Sequence, residues 1–112
     1  MAQGRTSYSR LFARHGMPAE IGRPTGSAPI VMHPIKVLRR YAEEEPMDHE
    51  ISQQEVRFTL EWNQLDGLPG YSLPPRKGDR IRKEDEYFTM RLVRPLETHG
   101  EIVGYEVRSI GG

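Results

Sequence analysis

The chain has 112 residues, no cysteine, and sixteen basic against sixteen acidic side chains. This length fits one compact domain, and the missing thiols exclude disulfides, thiolate nucleophiles, zinc–thiolate sites and iron–sulfur clusters. The zero net charge is unevenly spread, with +6 over residues 1–41, −7 over 42–75 and +1 over the remainder.

The first periodic segment runs from Thr6 to His15, where Tyr8, Leu11, Phe12 and His15 fall at i, i+3, i+4 and i+7. This spacing predicts a short amphipathic helix, with Thr6 or Ser7 as cap and Gly16 as terminator. Gly16 to Pro29 is dense in Gly and Pro, so an extended arm or long loop is expected there. Ile30, Val31, Ile35 and Val37 suggest a strand between Ile30 and Tyr41, with Pro34 at an edge or bulge because it has no N–H for the ladder. The helix-forming content of Lys36 to Glu45 leaves a helix open as the alternative. Glu43, Glu44, Glu45 and Pro46 read as a solvated loop.

The clearest strand is Glu55 to Trp62, in which Val56, Phe58, Leu60 and Trp62 alternate with Glu55, Arg57, Thr59 and Glu61, predicting one buried and one wet face. Asp66-Gly67, Pro69-Gly70 and Pro74-Pro75 then put three turn signals in a row, which no long regular element can cross. A short strand around Arg80 to Arg82 and a second from Tyr87, with Phe88, Met90 and Leu92 on one face, are expected to pair as a hairpin. Thr98-His99-Gly100-Glu101 reads as the turn into a last strand, Val103 to Ile110, which inserts Val103, Tyr105 and Val107. The pattern as a whole predicts a mainly β protein, a small antiparallel barrel or sandwich with a short N-terminal helix and extended arm and loops. Residues 1–29 form the helix and arm, and 30–112 the β body.

Site chemistry is sparse. His15, His33, His49 and His99 are scattered without metal-ligand spacing, and Asp48-His49-Glu50 are consecutive residues that point apart, so no metal is expected. No nucleophile elbow, dinucleotide fingerprint or phosphate loop is present, so neither an enzyme nor a cofactor is expected. Arg76, Lys77, Arg80, Arg82 and Lys83 could form a nucleic-acid groove with Tyr71 and Tyr87 for stacking, but Asp79, Glu84, Asp85 and Glu86 interleave with them. The better basic patch is Arg5, Arg10, Arg14 and Arg23. On a helix, Arg10 and Arg14 share one side beside an apolar stripe, which suits an acidic partner surface.

The C-terminal run Leu73-Pro74-Pro75-Arg76-Lys77-Gly78-Asp79-Arg80-Ile81, followed by Tyr87-Phe88 and by Gly104-Tyr105-Glu106-Val107, resembles a pattern of small head-completion proteins of tailed phages. These include head-to-tail joining proteins of the lambda FII type. In such a hairpin Gly78-Asp79 makes the tight turn and Ile81 enters the core. The order of helix, connector and alternating strand is also the one this family implies.

The resemblance implies a structural virion protein, a homo-oligomeric ring in the neck between portal and tail, assembled in the host cytoplasm. Its expected partners are further copies of itself, the portal or adaptor protein and tail proteins, with possible non-specific contact with DNA in the channel. No apolar run approaches the roughly 20 residues of a bilayer span, and residues 1–14 lack a signal-peptide core, so no membrane contact is expected. The interface residues expected are Arg5, Tyr8, Arg10, Leu11, Phe12 and Arg14 on the helix, Glu43, Glu44, Glu45 and Asp48 in the acidic stretch, and Leu68 and Tyr71 in the loop from Leu65 to Leu73. A basic arm meeting the acidic stretch of the next copy would be a head-to-tail contact able to close a ring. The alternatives are a small nucleic-acid-binding barrel or another phage tail or baseplate interaction protein.

Overall fold

The structure, a computed structural model, describes residues 3–41 and 55–111. The acidic residues Glu43, Glu44, Glu45 and Asp48, with His49 and Glu50, lie outside the described residues.

Helix α1 (Gln3–His15) is followed by β1 (Met17–Gly22), β2 (His33–Tyr41), β3 (Glu55–Glu61), the single turn α2 (Trp62–Leu65), β4 (Arg80–Lys83), β5 (Glu86–Thr98) and β6 (Glu101–Gly111). The strands close into an antiparallel barrel in the order β1-β2-β3-β6-β5-β4, with β4 returning to β1. The protein is therefore mainly β, and the barrel reading of the sequence is the correct one. The interior holds Ile21, Val37, Phe58, Leu60, Ile81, Met90 and Val107 among others, and the rings of Phe58 and Phe88 meet edge to face at 5.1 Å. Such a pair adds to the area it buries.

Both hairpins fall where the sequence puts them. Glu84 and Asp85 (φ 52° and 66°) join β4 to β5, while His99 and Gly100 (φ 53° and 77°) join β5 to β6. Two consecutive residues at positive φ give the turn whose twist matches that of the flanking strands.

Four expectations need correction. The Gly/Pro-rich segment expected to be an arm contains β1, which pairs with β2 on one side and β4 on the other. Ala19 and Ile21 alternate inward while Pro18 stays exposed, so bonding on both flanks overrides weak local propensity. Secondly, α1 is rotated from its apolar stripe. Phe12, 1% exposed, and the half-buried Tyr8 face the barrel as the stripe requires, but Leu11 is 39% exposed and His15 also faces solvent; Arg5 and Ser9 turn inward instead. Thirdly, the outer face of β3 is wet only in its first half, at Glu55 and Arg57; farther along, α1 lies against β2, β3 and β6 and Thr59 and Glu61 are buried. Trp62 leaves the strand to start α2. Fourthly, a bulge in β5 places both Arg91 and Leu92 between Met90 and Val93 on a register that advances β6 by one residue per pair. That extra residue sends Leu92 outward, 60% exposed, and Val93 onto the core.

Candidate interaction surfaces

α1 divides into a docked face and a free one. On the docked face Arg5 stacks over Trp62 with 3.5 Å from guanidinium carbon to ring centroid, donates from Nε to the Ile102 carbonyl at 2.9 Å, and pairs with Glu101 at 2.9 Å. Ser9 donates to Glu61 and accepts from Asn63 at 2.8 Å. Tyr8 packs on Phe12 with centroids 6.0 Å apart, and a Cβ on Gly104 would meet the Tyr8 ring at 3.2 Å, so the missing side chain lets the helix approach β6.

Of the six helix residues expected at an interface, Arg5 and Phe12 are therefore committed within the chain and Tyr8 is half-buried. Arg10, Leu11 and Arg14 remain on the exposed face, with Ser7, Ala13 and His15 beside them along a shallow, open depression.

The loop between α2 and β4 is fastened to the barrel at Asp79. Arg23, just after β1, donates from Nε to Oδ1 and from Nη2 to Oδ2, both at 3.0 Å. Tyr71 donates its hydroxyl to Oδ2 at 2.7 Å and the Arg76 amide donates to the same oxygen at 2.9 Å. The rest of the Arg23 fork reaches the Ser72 and Pro74 carbonyls at 2.9 and 3.0 Å, and its guanidinium carbon lies 4.4 Å from the Tyr71 ring centroid.

The Asp79 hydrogen bond holds the Arg23 proton more tightly than usual. Burial, reinforced by Asp79, pushes the Tyr71 phenol well above its ordinary range. Arg23 thus belongs to this latch and not to the helical basic patch. Tyr71, 4% exposed, is part of the core, and Leu68 packs against it half-buried, so neither stands free for a partner.

The basic residues from Arg76 to Lys83 do not converge. Arg82 pairs with Glu20 at 3.4 Å and Asp85 at 3.2 Å, Lys83 is buried along its stem with Nζ 3.2 Å from Glu84, and only Arg76 and Lys77 stand exposed. With Tyr71 inside the core, only Tyr87, 48% exposed and with the Arg82 guanidinium 5.7 Å from its ring centroid, is left of the two stacking aromatics expected there.

A different basic feature emerges on the outer wall. The register sets Arg40 opposite Arg57, Arg57 opposite Arg108 and Arg108 opposite Leu92, in one row across β2, β3, β6 and β5. These arginines are far apart in sequence, and only strand register brings them together.

Among the described residues no group of three or more His, Asp or Glu side chains is placed to hold a metal ion, and no helix is long and apolar enough to cross a membrane. No protein-family model matches the chain, and no curated protein matches it at a significant level.

Proposed function

We propose that this chain is a structural subunit of a tailed phage or prophage, a head-completion or head-to-tail joining protein that works as copies arranged in a ring between portal and tail. The C-terminal resemblance suggests the family, and the observation that carries the reading is the free face of α1. A closed barrel leaves few strand edges for recognition, and its N-terminal helix holds itself down by Arg5, Ser9 and Phe12 while presenting Arg10, Leu11 and Arg14 outward. Two cations flanking an exposed leucine suit an acidic, partly apolar partner surface such as the underside of a portal. On this reading the protein acts in the virion neck, performs no catalysis and takes no cofactor.

The test is to mix the purified protein with tailless heads of the encoding virus and sediment them. Binding to heads supports the proposal; failure to bind either heads or free tails at low salt overturns it. The nucleic-acid reading would require salt-dependent binding to single strands, and the dispersal of Arg76 to Lys83 and the burial of Tyr71 weigh against it.

A further inference from the structure

Like charges set directly opposite on neighbouring strands are unfavourable, and opposite charges there are favourable. The outer wall here does the reverse, with Arg57 directly opposite Arg108 on the adjacent strands β3 and β6. The acid among them, Glu55, sits with one oxygen, Oε1, 3.9 Å from Nε of both Arg57 and Arg108. That distance is beyond hydrogen-bond reach, so one carboxylate is spread over two guanidinium groups and satisfies neither. The Arg57 Nε is buried with no hydrogen-bond partner. The row ends on Leu92, 60% exposed where the β5 bulge turns it outward. A surplus of fork-shaped cations beside an exposed leucine is the composition of an interface core.

We infer that Arg57 and Arg108 on the outer wall, with Leu92, dock the acidic segment Glu43 to Glu50 of a second copy of this chain. Planar guanidinium groups take carboxylates two bonds at a time, which suits a string of side-chain carboxylates. The chain carries that string itself: Glu43, Glu44, Glu45, Asp48 and Glu50 occur with no Lys or Arg among residues 42–54, and Met47 and Ile51 in the same stretch supply apolar contact for Leu92. The stretch leaves the barrel next to Arg40 and returns two residues before Arg57. A thirteen-residue connection tied at both ends reaches out by at most about 20 Å. Each copy therefore carries both halves of the contact, and a rotation between copies can bring one segment to the arginines of the next, closing a ring. This contact rests on the ring reading and names the charges that join one copy to the next.

The experiment is sedimentation of the full chain alone, without heads or tails, over a range of concentrations in 50 mM and 500 mM salt. Self-association at low salt, weakened at high salt, is expected. Arg57→Glu with Arg108→Glu should weaken it at least tenfold, as should Glu43→Lys with Glu44→Lys and Glu45→Lys, and mixing these two variants should restore a complex. Arg108→Gln, a milder change, should give an intermediate loss with an unchanged melting temperature.

A wild-type chain that stays monomeric throughout overturns the inference, as does association that neither set of reversals weakens. Single-stranded DNA binding that depends on Arg57 and Arg108 while self-association does not would overturn it in favour of a nucleic-acid surface. Head binding by a monomeric chain would leave the proposed function standing and remove only this contact.

Discussion

Arg23 grips Asp79 through two parallel hydrogen bonds of 3.0 Å, joining the end of β1 to the residue that introduces β4. The fork also takes carbonyls of the intervening loop, so one arginine organises a segment that is too rich in Pro and Gly to order itself. The carboxylate is almost wholly out of water, with 2% of its side-chain surface exposed. Attraction at such a site is strong, and so is the cost of stranding one partner.

Removing one member of this pair should therefore cost more than a surface ion pair does. Arg23→Met and Asp79→Asn are each expected to lower unfolding stability by about 3 kcal/mol, against less than 1 for an exposed pair. Urea denaturation of both single variants and the double variant checks this. The double variant should lose less than the two single losses added together.

Tyr71 gives the same latch a pH signature. Its phenol ionises less readily in the fold than its ordinary value of 10.0, through burial first and Asp79 second. Below that value folded and unfolded chains both hold the proton and the group adds no pH dependence. Above it the unfolded chain releases the proton and the folded chain does not, so stability falls as pH rises, by up to about 1.4 kcal/mol per pH unit. Tyr71→Phe should remove that part of the decline between pH 10 and 11, read as the difference in slope between the two proteins.

Docking of α1 depends on Phe12 and on the bare Cα of Gly104. Phe12→Ala is expected to cost about 3 kcal/mol, because a fully buried ring leaves a cavity. Gly104→Ala should cost about 1–3 kcal/mol by forcing a methyl group against the Leu60 carbonyl and the Tyr8 ring. Thermal melts followed by Trp62 fluorescence report both, since Arg5 lies over that indole.

The β5 bulge makes a paired test. Leu92→Ser, on the exposed side, should leave stability within about 0.5 kcal/mol of wild type. Val93→Ser, on the core side, should cost about 1–3 kcal/mol. Equal losses at the two positions would mean that the strand runs without its extra residue.

Period-two alternation made Val56, Phe58 and Leu60 legible as core, and His99-Gly100 marked the turn of the last hairpin, whereas the β4–β5 turn falls at Glu84-Asp85 and Gly78-Asp79 lies in a turn ahead of β4. β1 was not legible, since Met17-Pro18-Ala19-Glu20-Ile21-Gly22 has low strand propensity and is held by hydrogen bonds from strands on both sides. The helix face was misjudged because Arg5 and Ser9 are polar residues that find partners in Glu101, Trp62 and the buried Glu61, contacts no local pattern encodes. Leu92 was placed inside because a bulge shifts the period by one without a sequence mark of its own. Of the expected interface, Arg10, Leu11 and Arg14 were readable from helical spacing, whereas the Arg57–Arg108 pairing depends on a register that joins residues 51 positions apart.

The most direct test of the account compares wild type with Arg10→Glu/Arg14→Glu in co-sedimentation with tailless heads. Both residues are exposed, so the variant should melt with the wild type. The account expects wild-type protein to pellet with heads in 50 mM salt and the charge-reversed protein to remain in the supernatant. Equal pelleting of both proteins, or of neither, would contradict it.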